Sequence, residues 1–192
     1  MKIVDLSSDL EFQNACMQFR YELDKRFGSP DIIVGVANGG MRVVQAMGYP
    51  SDKTIFVRRQ RKSTVVKSRI EFGVILRGLP VFLSDIARVL EVAFREKKFE
   101  LDRGGLESRA VEFVGSRRST EFAQYSVLVI DDAVDSGGTF IDVIGFLRNI
   151  YPNSVFVTAA LSQTFKFPAY NVDFTFYKRT LLRCPWAMDA RR

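Results

Sequence analysis

The sequence predicts an open α/β fold, a mostly parallel sheet with helices on both faces, formed by a single domain over residues 1–192. Two segments, 32–36 and 127–130, are continuously apolar, as is typical of strands buried on both faces of a parallel sheet. Segments with helical spacing of apolar residues alternate with them, and this alternation favours a parallel sheet. A length of 192 residues and a hydrophobic fraction of 47% suit one domain with its own core.

The first part of the chain supplies two helices and two strands. Apolar residues recur at helical spacing over residues 8–27, and a Gly-Ser-Pro sequence ends that helix. The strand 32–36 follows, and Asn-Gly-Gly leads from it into a short helix around residues 43–47. A second strand is predicted at 54–57, directly before a run of basic residues.

The middle of the chain is less regular. Residues 70–76 have a strand-like composition, residues 80–96 are predicted as a helix, and residues 97–124 indicate neither. We interpret residues 70–120 as an insertion or lid. The apolar stripe of the predicted helix consists of Leu83, Ile86, Ala87, Leu90 and Phe94.

The pattern is clear again in the last third. The strand 127–130 is followed by an acidic, glycine-containing turn and then by a helix that ends near residues 151–153. Two more strands are predicted, over residues 155–161 and 174–177. We expect this part of the chain to complete the parallel sheet.

The sequence contains no histidine, which excludes several kinds of site. Ser-His-Asp and Cys-His nucleophile pairs need an imidazole base, and HExxH and other histidine-ligated zinc sites need imidazole ligands. Acid–base chemistry therefore falls to carboxylate, Lys, Tyr or Cys side chains. A bound metal is expected to be a hard cation with oxygen ligands.

The cysteine content and the hydropathy predict where the protein resides. Cys16 and Cys184 are distant in sequence and form no CxxC pair, which favours a reducing compartment without a disulfide framework. No signal-like segment follows Met1, and no apolar run approaches the roughly 20 residues that span a bilayer. We expect a cytoplasmic protein with no membrane partner.

The net charge of +6 is concentrated in one segment. Residues 58–69 carry six positive charges and no acid, which indicates an anionic partner, either phosphate groups or a nucleic-acid backbone. A solvated basic loop is the alternative interpretation.

The most informative segment is 131–139, where two carboxylates and a Ser-Gly-Gly-Thr turn lie between a strand and a helix. Backbone N–H groups at such a helix start favour an anion, so Ser136, Gly137, Gly138 and Thr139 predict a phosphate site. Simple capping of a tight turn is the alternative. The segment lacks the P-loop pattern, the chain lacks GxGxxG after its first strand, and the absence of histidine excludes a serine-protease reading of Asp-Ser-Gly-Gly.

Residues 127–139, Val-Leu-Val-Ile-Asp-Asp-Ala-Val-Asp-Ser-Gly-Gly-Thr, resemble the phosphoribosyl-pyrophosphate (PRPP) motif of type I phosphoribosyltransferases. The resemblance implies that Asp131 and Asp132 contact the ribose hydroxyls, directly or through Mg²⁺ and water, while the 136–139 turn holds the 5′-phosphate. Asp135 would be the general base near the purine N7. Ser136 replaces the usual threonine and keeps its hydroxyl.

Other segments follow the order of that family. Residues 32–40 resemble the strand and loop that bind pyrophosphate, so Asn38, Gly39 and Gly40 are pyrophosphate candidates and Ala37–Asn38 is a candidate for the non-proline cis peptide of that loop. Residues 162–192 would form a hood over the base, in which Trp186 stacks on a purine as in the xanthine-guanine and hypoxanthine-guanine branch; an ordinary packed aromatic is the alternative. The basic run would close over pyrophosphate with Arg58, Arg59, Arg61 and Lys62.

The resemblance implies transfer of a 5-phosphoribosyl group from PRPP to a nitrogenous base, with a purine-like base favoured and pyrophosphate released. Mg²⁺ would be the cofactor, PRPP and the base the small-molecule partners, and a homo-oligomer the expected assembly. That branch carries a lysine after the strand 155–161, where Ser162 and Gln163 stand here. A regulator or nucleic-acid-associated protein of the same fold, which binds PRPP or nucleotide without catalysis, is the alternative.

Overall fold

The computed structural model describes residues 1–60, 81–102, 106–115 and 124–187. In this part of the chain there are eight strands and four α-helices, with a short 3-10 turn at Ser51–Lys53. The helices are α1 (Asp9–Phe27), α2 (Gly39–Met47), α3 (Val81–Leu101) and α4 (Gly138–Ile150). The strands are β1 (Lys2–Asp5), β2 (Ile32–Val36), β3 (Thr54–Arg59), β4 (Val111–Val114), β5 (Ser126–Val134), β6 (Val155–Gln163), β7 (Phe174–Lys178) and β8 (Thr180–Arg183).

The main sheet has six strands in the order β4-β3-β2-β5-β6-β7. All neighbours are parallel except the edge pair β3 and β4, which is antiparallel. A separate two-stranded parallel sheet joins β1 to β8, so the two ends of the described chain pair with each other. The predicted open α/β fold is confirmed.

The core lies on both faces of the main sheet. Ile33 of β2 packs in a cluster with buried side chains of α1 and α2, whereas its neighbours Ile32 and Val34 pack in a second cluster with buried side chains of α4. All five residues of β2 are buried. Burial on both faces explains why this strand is apolar without interruption.

Strand β5 is longer than predicted. The sequence suggests that it ends before the paired acids, but it continues to Val134 because its parallel pairing with β6 runs on through Asp131 opposite Ala160 and Val134 opposite Gln163. Asp131 and Asp132 are therefore strand residues. Their backbone is held by the sheet rather than by the following turn.

The predicted helix near 80–96 is present as α3 and extends to Leu101. Its apolar stripe does not face the core: Leu90 and Phe94 are 63% and 72% exposed, while Val92 is buried. Helix α3 is attached to the rest of the described chain by ion pairs, and the ring of Phe99 lies 5.7 Å from that of Phe165. The strand expected at 70–76 lies outside the described residues.

The sequence does not predict three of the described strands. Strand β4 lies within residues 97–124, for which the pattern indicates no element, and β1 and β8 are only four residues long. Cys16 and Cys184 are both free and buried. In the described part of the chain, no helix is long and apolar enough to span a membrane.

Candidate active site

A cavity of about 700 Å³ opens at the carboxyl ends of the central strands, where open α/β sheets bind ligands. One wall is the loop after β2 and the opposite wall is the turn between β5 and α4. Trp186 and Ala187 of the C-terminal segment close one side. Three arginines also line the cavity: Arg59, Arg95 and Arg109.

The turn from β5 into α4, which the sequence predicts as a phosphate site, needs glycine at position 137. Gly137 is the N-cap of α4 and has a φ of 83°, in the left-handed region that favours glycine. A Cβ atom on Gly137 would also lie 2.7 Å from the backbone nitrogen of Tyr170. We call residues 136–139 the phosphate loop. Glycine is required at position 137 because the backbone there is left-handed and because the backbone of Tyr170 packs against it.

The loop after β2 packs closely against the paired acids. It contains a cis peptide bond between Ala37 and Asn38, at the position that the sequence predicts. A Cβ on Gly39 would lie 2.1 Å from the carboxylate of Asp132, and one on Gly40 would lie 2.4 Å from the backbone oxygen of Ile130. Glycine at both positions brings this loop within reach of a ligand held by β5.

Asp131 and Asp132 lie side by side in β5, with different surroundings. Asp131 is buried, and one of its oxygens accepts a hydrogen bond of 2.9 Å from the backbone N–H of Asp132. Burial raises the pKa of Asp132 above its usual value, and the nearby charge of Asp135 raises it further. Asp131 is therefore a buried hydrogen-bond acceptor. A cation or a hydroxyl donor near Asp132 would stabilise the charged form of its carboxylate.

The proposed base, Asp135, has both carboxylate oxygens engaged. Its Oδ1 accepts a hydrogen bond from the hydroxyl of Thr164, and its Oδ2 accepts one of 2.5 Å from Nη2 of Arg95 on α3. Asp135 and Arg95 side chains are 29% and 37% exposed. The helix expected to belong to an insertion thus contacts the centre of the site.

The predicted basic residues divide into three groups. Arg59 lines the cavity, and its Nε donates to Asp142 of α4 at 2.5 Å. Arg58, the preceding residue of β3, is exposed and is not among the residues that line the cavity. Arg61 and Lys62 lie outside the described residues.

Trp186 lines the cavity but also packs inside the protein. Its ring meets that of Phe12 edge-on at 5.0 Å between centroids, and the Arg42 guanidinium lies 4.9 Å from the ring centroid. The ring is therefore packed, as one of the two interpretations made from the sequence expects, and its stacking on a purine stays a prediction. Ser162 is buried and its hydroxyl donates to the backbone oxygen of Thr180, while Gln163 donates to the backbone of Phe165.

Sequence reasoning missed Arg95, Arg109 and Thr164. Arg95 lies in a segment for which the sequence predicts only an amphipathic helix, and no local pattern marks a charged residue of such a helix as a partner of Asp135. Arg109 lies in a segment for which no element is predicted. Of the three residues, only Thr164 could have been predicted from its position in the sequence. It directly follows β6, and polar residues at the carboxyl ends of parallel strands face the binding crevice.

The donor set suits a hard cation only in part. No group of three or more potential metal-ligating side chains occurs in the ranges that the structure describes. Asp131 and Asp132 offer oxygen ligands of the kind that Mg²⁺ prefers, and this ion usually keeps several water or phosphate ligands. These residues therefore fit a Mg²⁺ ion whose other ligands come from a bound phosphorylated sugar and from water.

The fold and the cavity define an open α/β protein whose candidate ligand site lies at the carboxyl ends of its strands, between two glycine-containing loops. The family model of the phosphoribosyl transferase domain matches residues 72–168, just over half of the chain, and the chain belongs to this family of phosphoribosyltransferase enzymes. The match includes most of residues 70–120, which the sequence leads us to interpret as an insertion.

Solved structures support the same fold. The xanthine-guanine-hypoxanthine phosphoribosyltransferase of Helicobacter pylori superposes with a TM-score of 0.60 at 16% identity, over 97% of this chain and 96% of that one. The purine phosphoribosyltransferase of Pyrococcus horikoshii superposes with a TM-score of 0.55 at 16% identity, over 97% of this chain and 95% of that one. A Neisseria gonorrhoeae protein with bound ppGpp superposes with a TM-score of 0.54 at 11% identity, over 97% of this chain and 90% of that one. No curated protein sequence matches the chain significantly.

Proposed function

We propose that this enzyme transfers the 5-phosphoribosyl group of PRPP to a nitrogenous base, purine-like rather than of another class, and releases pyrophosphate. The observation that carries the proposal is the single cavity shared by the phosphate loop, the paired acids, the glycine loop after β2 and Trp186. A purine preference is supported by the resemblance around Trp186 and by the names of the Helicobacter and Pyrococcus relatives.

PRPP would lie across β5, with its 5′-phosphate on Ser136–Thr139 and its ribose hydroxyls toward Asp131 and Asp132. Its pyrophosphate would lie against Asn38, Gly39 and Gly40, with the basic run that begins at Arg58 and includes Arg61 and Lys62 neutralising the leaving charge. Mg²⁺, when bound near the paired acids, would supply further neutralisation of the pyrophosphate. The enzyme's part is to orient the sugar and to stabilise charge that develops on the leaving group.

Asp135 would contact the imidazole edge of the incoming base and hold its proton at the carboxylate oxygen. Arg95 occupies that oxygen in the structure, so the base contacts Asp135 once the arginine shares or releases it. Thr164 donates to the other oxygen and keeps the carboxylate oriented toward the cavity.

Pyrophosphate release on mixing PRPP with a panel of purine and pyrimidine bases tests the proposal. We expect turnover with at least one purine, and we expect Asp135→Asn to lower kcat by about 100-fold or more, the usual contribution of a positioned general base. Asp52→Asn, an exposed acid outside the cavity, serves as the control. Turnover in Asp135→Asn equal to that of the wild type would contradict the role of Asp135, and no release with any base would contradict transfer itself.

A further inference from the structure

Two arginines stand beside the phosphate loop although neither belongs to it. Arg59 comes from the end of β3 and Arg109 lies just before β4, so the antiparallel edge pair brings them to the same place. A Cβ atom on Gly138 would lie 3.5 Å from Nη2 of Arg59 and 3.1 Å from the side chain of Leu106. The segment that contains Leu106 and Arg109 therefore forms the rim of the phosphate loop.

Asp142 fixes this arrangement from inside α4. It lies one turn after the phosphate loop, and its side chain is 6% exposed. One of its oxygens accepts hydrogen bonds from Nε of Arg59 at 2.5 Å and from the backbone N–H of Arg109 at 3.1 Å. The other accepts one from the hydroxyl of Ser108 at 3.1 Å. A single carboxylate thus ties the rim segment and Arg59 to the helix that begins at the loop.

One hydrogen-bond donor of Arg109 has no partner within the described ranges. Its Nε is buried and finds no acceptor among the described residues. A buried donor left unsatisfied is unfavourable, so such atoms in a binding cavity indicate a missing acceptor. The carboxylate of Asp142 is already engaged by three other donors. Arg109 also lines the cavity, so an anion bound there is the candidate acceptor.

We propose that Arg59 and Arg109 bind the 5′-phosphate of the phosphoribosyl donor, as a guanidinium clamp added to the backbone amides of the phosphate loop. The proposal rests on the proposed function. A phosphate monoester carries three acceptor oxygens, and guanidinium groups bind such oxygens through paired N–H donors. The start of α4 favours the same anion. Arg59 therefore serves the sugar phosphate rather than the pyrophosphate expected from the resemblance.

The pyrophosphate lies elsewhere in the proposed complex. Its candidate loop, which contains Gly39 and Gly40, packs against Asp131 and Asp132 of β5. Arg59 instead donates to Asp142 and, through Nη2, to the backbone oxygen of Glu107 at 3.0 Å, which places this Nη2 beside Gly138. The two ends of PRPP therefore contact different segments of the chain in the proposed complex. Binding of the two halves of the substrate can be measured independently.

Calorimetric titration of the full chain with ribose 5-phosphate and, separately, with pyrophosphate tests this assignment. We expect Arg109→Gln and Arg59→Gln each to raise the Kd of ribose 5-phosphate about 10- to 100-fold, as for loss of a charged hydrogen bond, and to leave the Kd of pyrophosphate unchanged. Arg109→Lys, which keeps the charge without the fork, should give an intermediate loss. Arg148→Gln, an exposed arginine later in α4, is the matched control and should change neither Kd.

Four outcomes separate the possibilities. Loss of pyrophosphate binding with unchanged ribose 5-phosphate binding would overturn the assignment in favour of the leaving group. No change in either Kd, with thermal unfolding confirming that the variants fold, would reduce both arginines to a structural role. The wild type could bind ribose 5-phosphate through these arginines and yet release no pyrophosphate from PRPP; this result would support the clamp and refute the proposed transfer. A wild type that binds neither ligand would refute both.

Discussion

Asp142 is the residue whose replacement tests the described site most directly. Asp142→Asn keeps the shape of the side chain and one oxygen acceptor but removes the charge opposite Arg59, whose side chain is 16% exposed. Leaving one member of a buried ion pair without its partner costs about 3–5 kcal/mol. Because the remaining amide oxygen still accepts from Arg59 and Arg109, we expect a smaller loss, about 2 kcal/mol.

For a chain of this length, 1 kcal/mol corresponds to about 2–4 °C in the melting temperature, so Asp142→Asn should melt about 4–8 °C below the wild type. Thermal unfolding followed by circular dichroism measures this, with urea unfolding to convert the shift into free energy. Glu112→Gln, an exposed acid on β4, should stay within about 2 °C because surface substitutions change stability by about 0.5 kcal/mol or less. An Asp142→Asn melting temperature equal to that of the wild type would refute the view that this carboxylate anchors the rim of the phosphate loop.

Three further predictions concern the phosphate loop, the cysteines and helix α3. Gly137→Ala should destabilise the protein by about 1–3 kcal/mol in urea unfolding and abolish ribose 5-phosphate binding, since its φ of 83° and the nearby backbone of Tyr170 leave no room for Cβ; wild-type stability would contradict this. Burial raises the pKa of Cys16 and that of Cys184 to about 12, so neither thiol should react with iodoacetamide at pH 8 until the chain is unfolded; labelling of the native chain, detected by mass spectrometry, would contradict this. Burial pushes the pKa of Glu96 upward, but hydrogen bonds and positive charge outweigh burial and hold that pKa below its usual value. The stability that the charged Glu96 contributes should therefore be lost as the pH falls below about 4, and hydrogen exchange in α3 should become faster. Exchange in α3 that changes with pH only by its intrinsic dependence would contradict this prediction.

The parts of the fold that the sequence predicts are those with local causes. Strand β2 is apolar because both of its faces are buried, and the phosphate loop is recognisable because a left-handed backbone and a helix start restrict residues 136–139 to a few types. The pairing of β1 with β8 joins residues almost 180 positions apart, and nothing in either short segment specifies the other. The length of β5 likewise depends on its neighbour β6.

The candidate site follows the same division. The paired acids and the glycines of the phosphate loop lie within one short segment, residues 131–139, so the local sequence predicts them as candidates. The arginines that complete the cavity come from β3, from α3 and from the segment before β4, and each reaches the site through a contact with a distant carboxylate. Which basic residue meets which acid is decided by the folded chain. The outward position of Leu90 and Phe94 in α3 shows the same limit for apolar residues, because a stripe indicates an amphipathic helix without indicating which side is covered.

The ion pairs that attach α3 lead us to expect that dissolved ions affect access to the cavity. Charged contacts hold this helix over the site: Arg95 to Asp135 and Glu96 to Arg179, with Asp85 paired to Arg183 near its start. Partly exposed ion pairs weaken as ionic strength rises, whereas apolar packing does not. We therefore expect salt to act on this enzyme in two opposing ways, because it would compete with phosphate groups for the arginines and would also loosen the helix whose Arg95 contacts the proposed base.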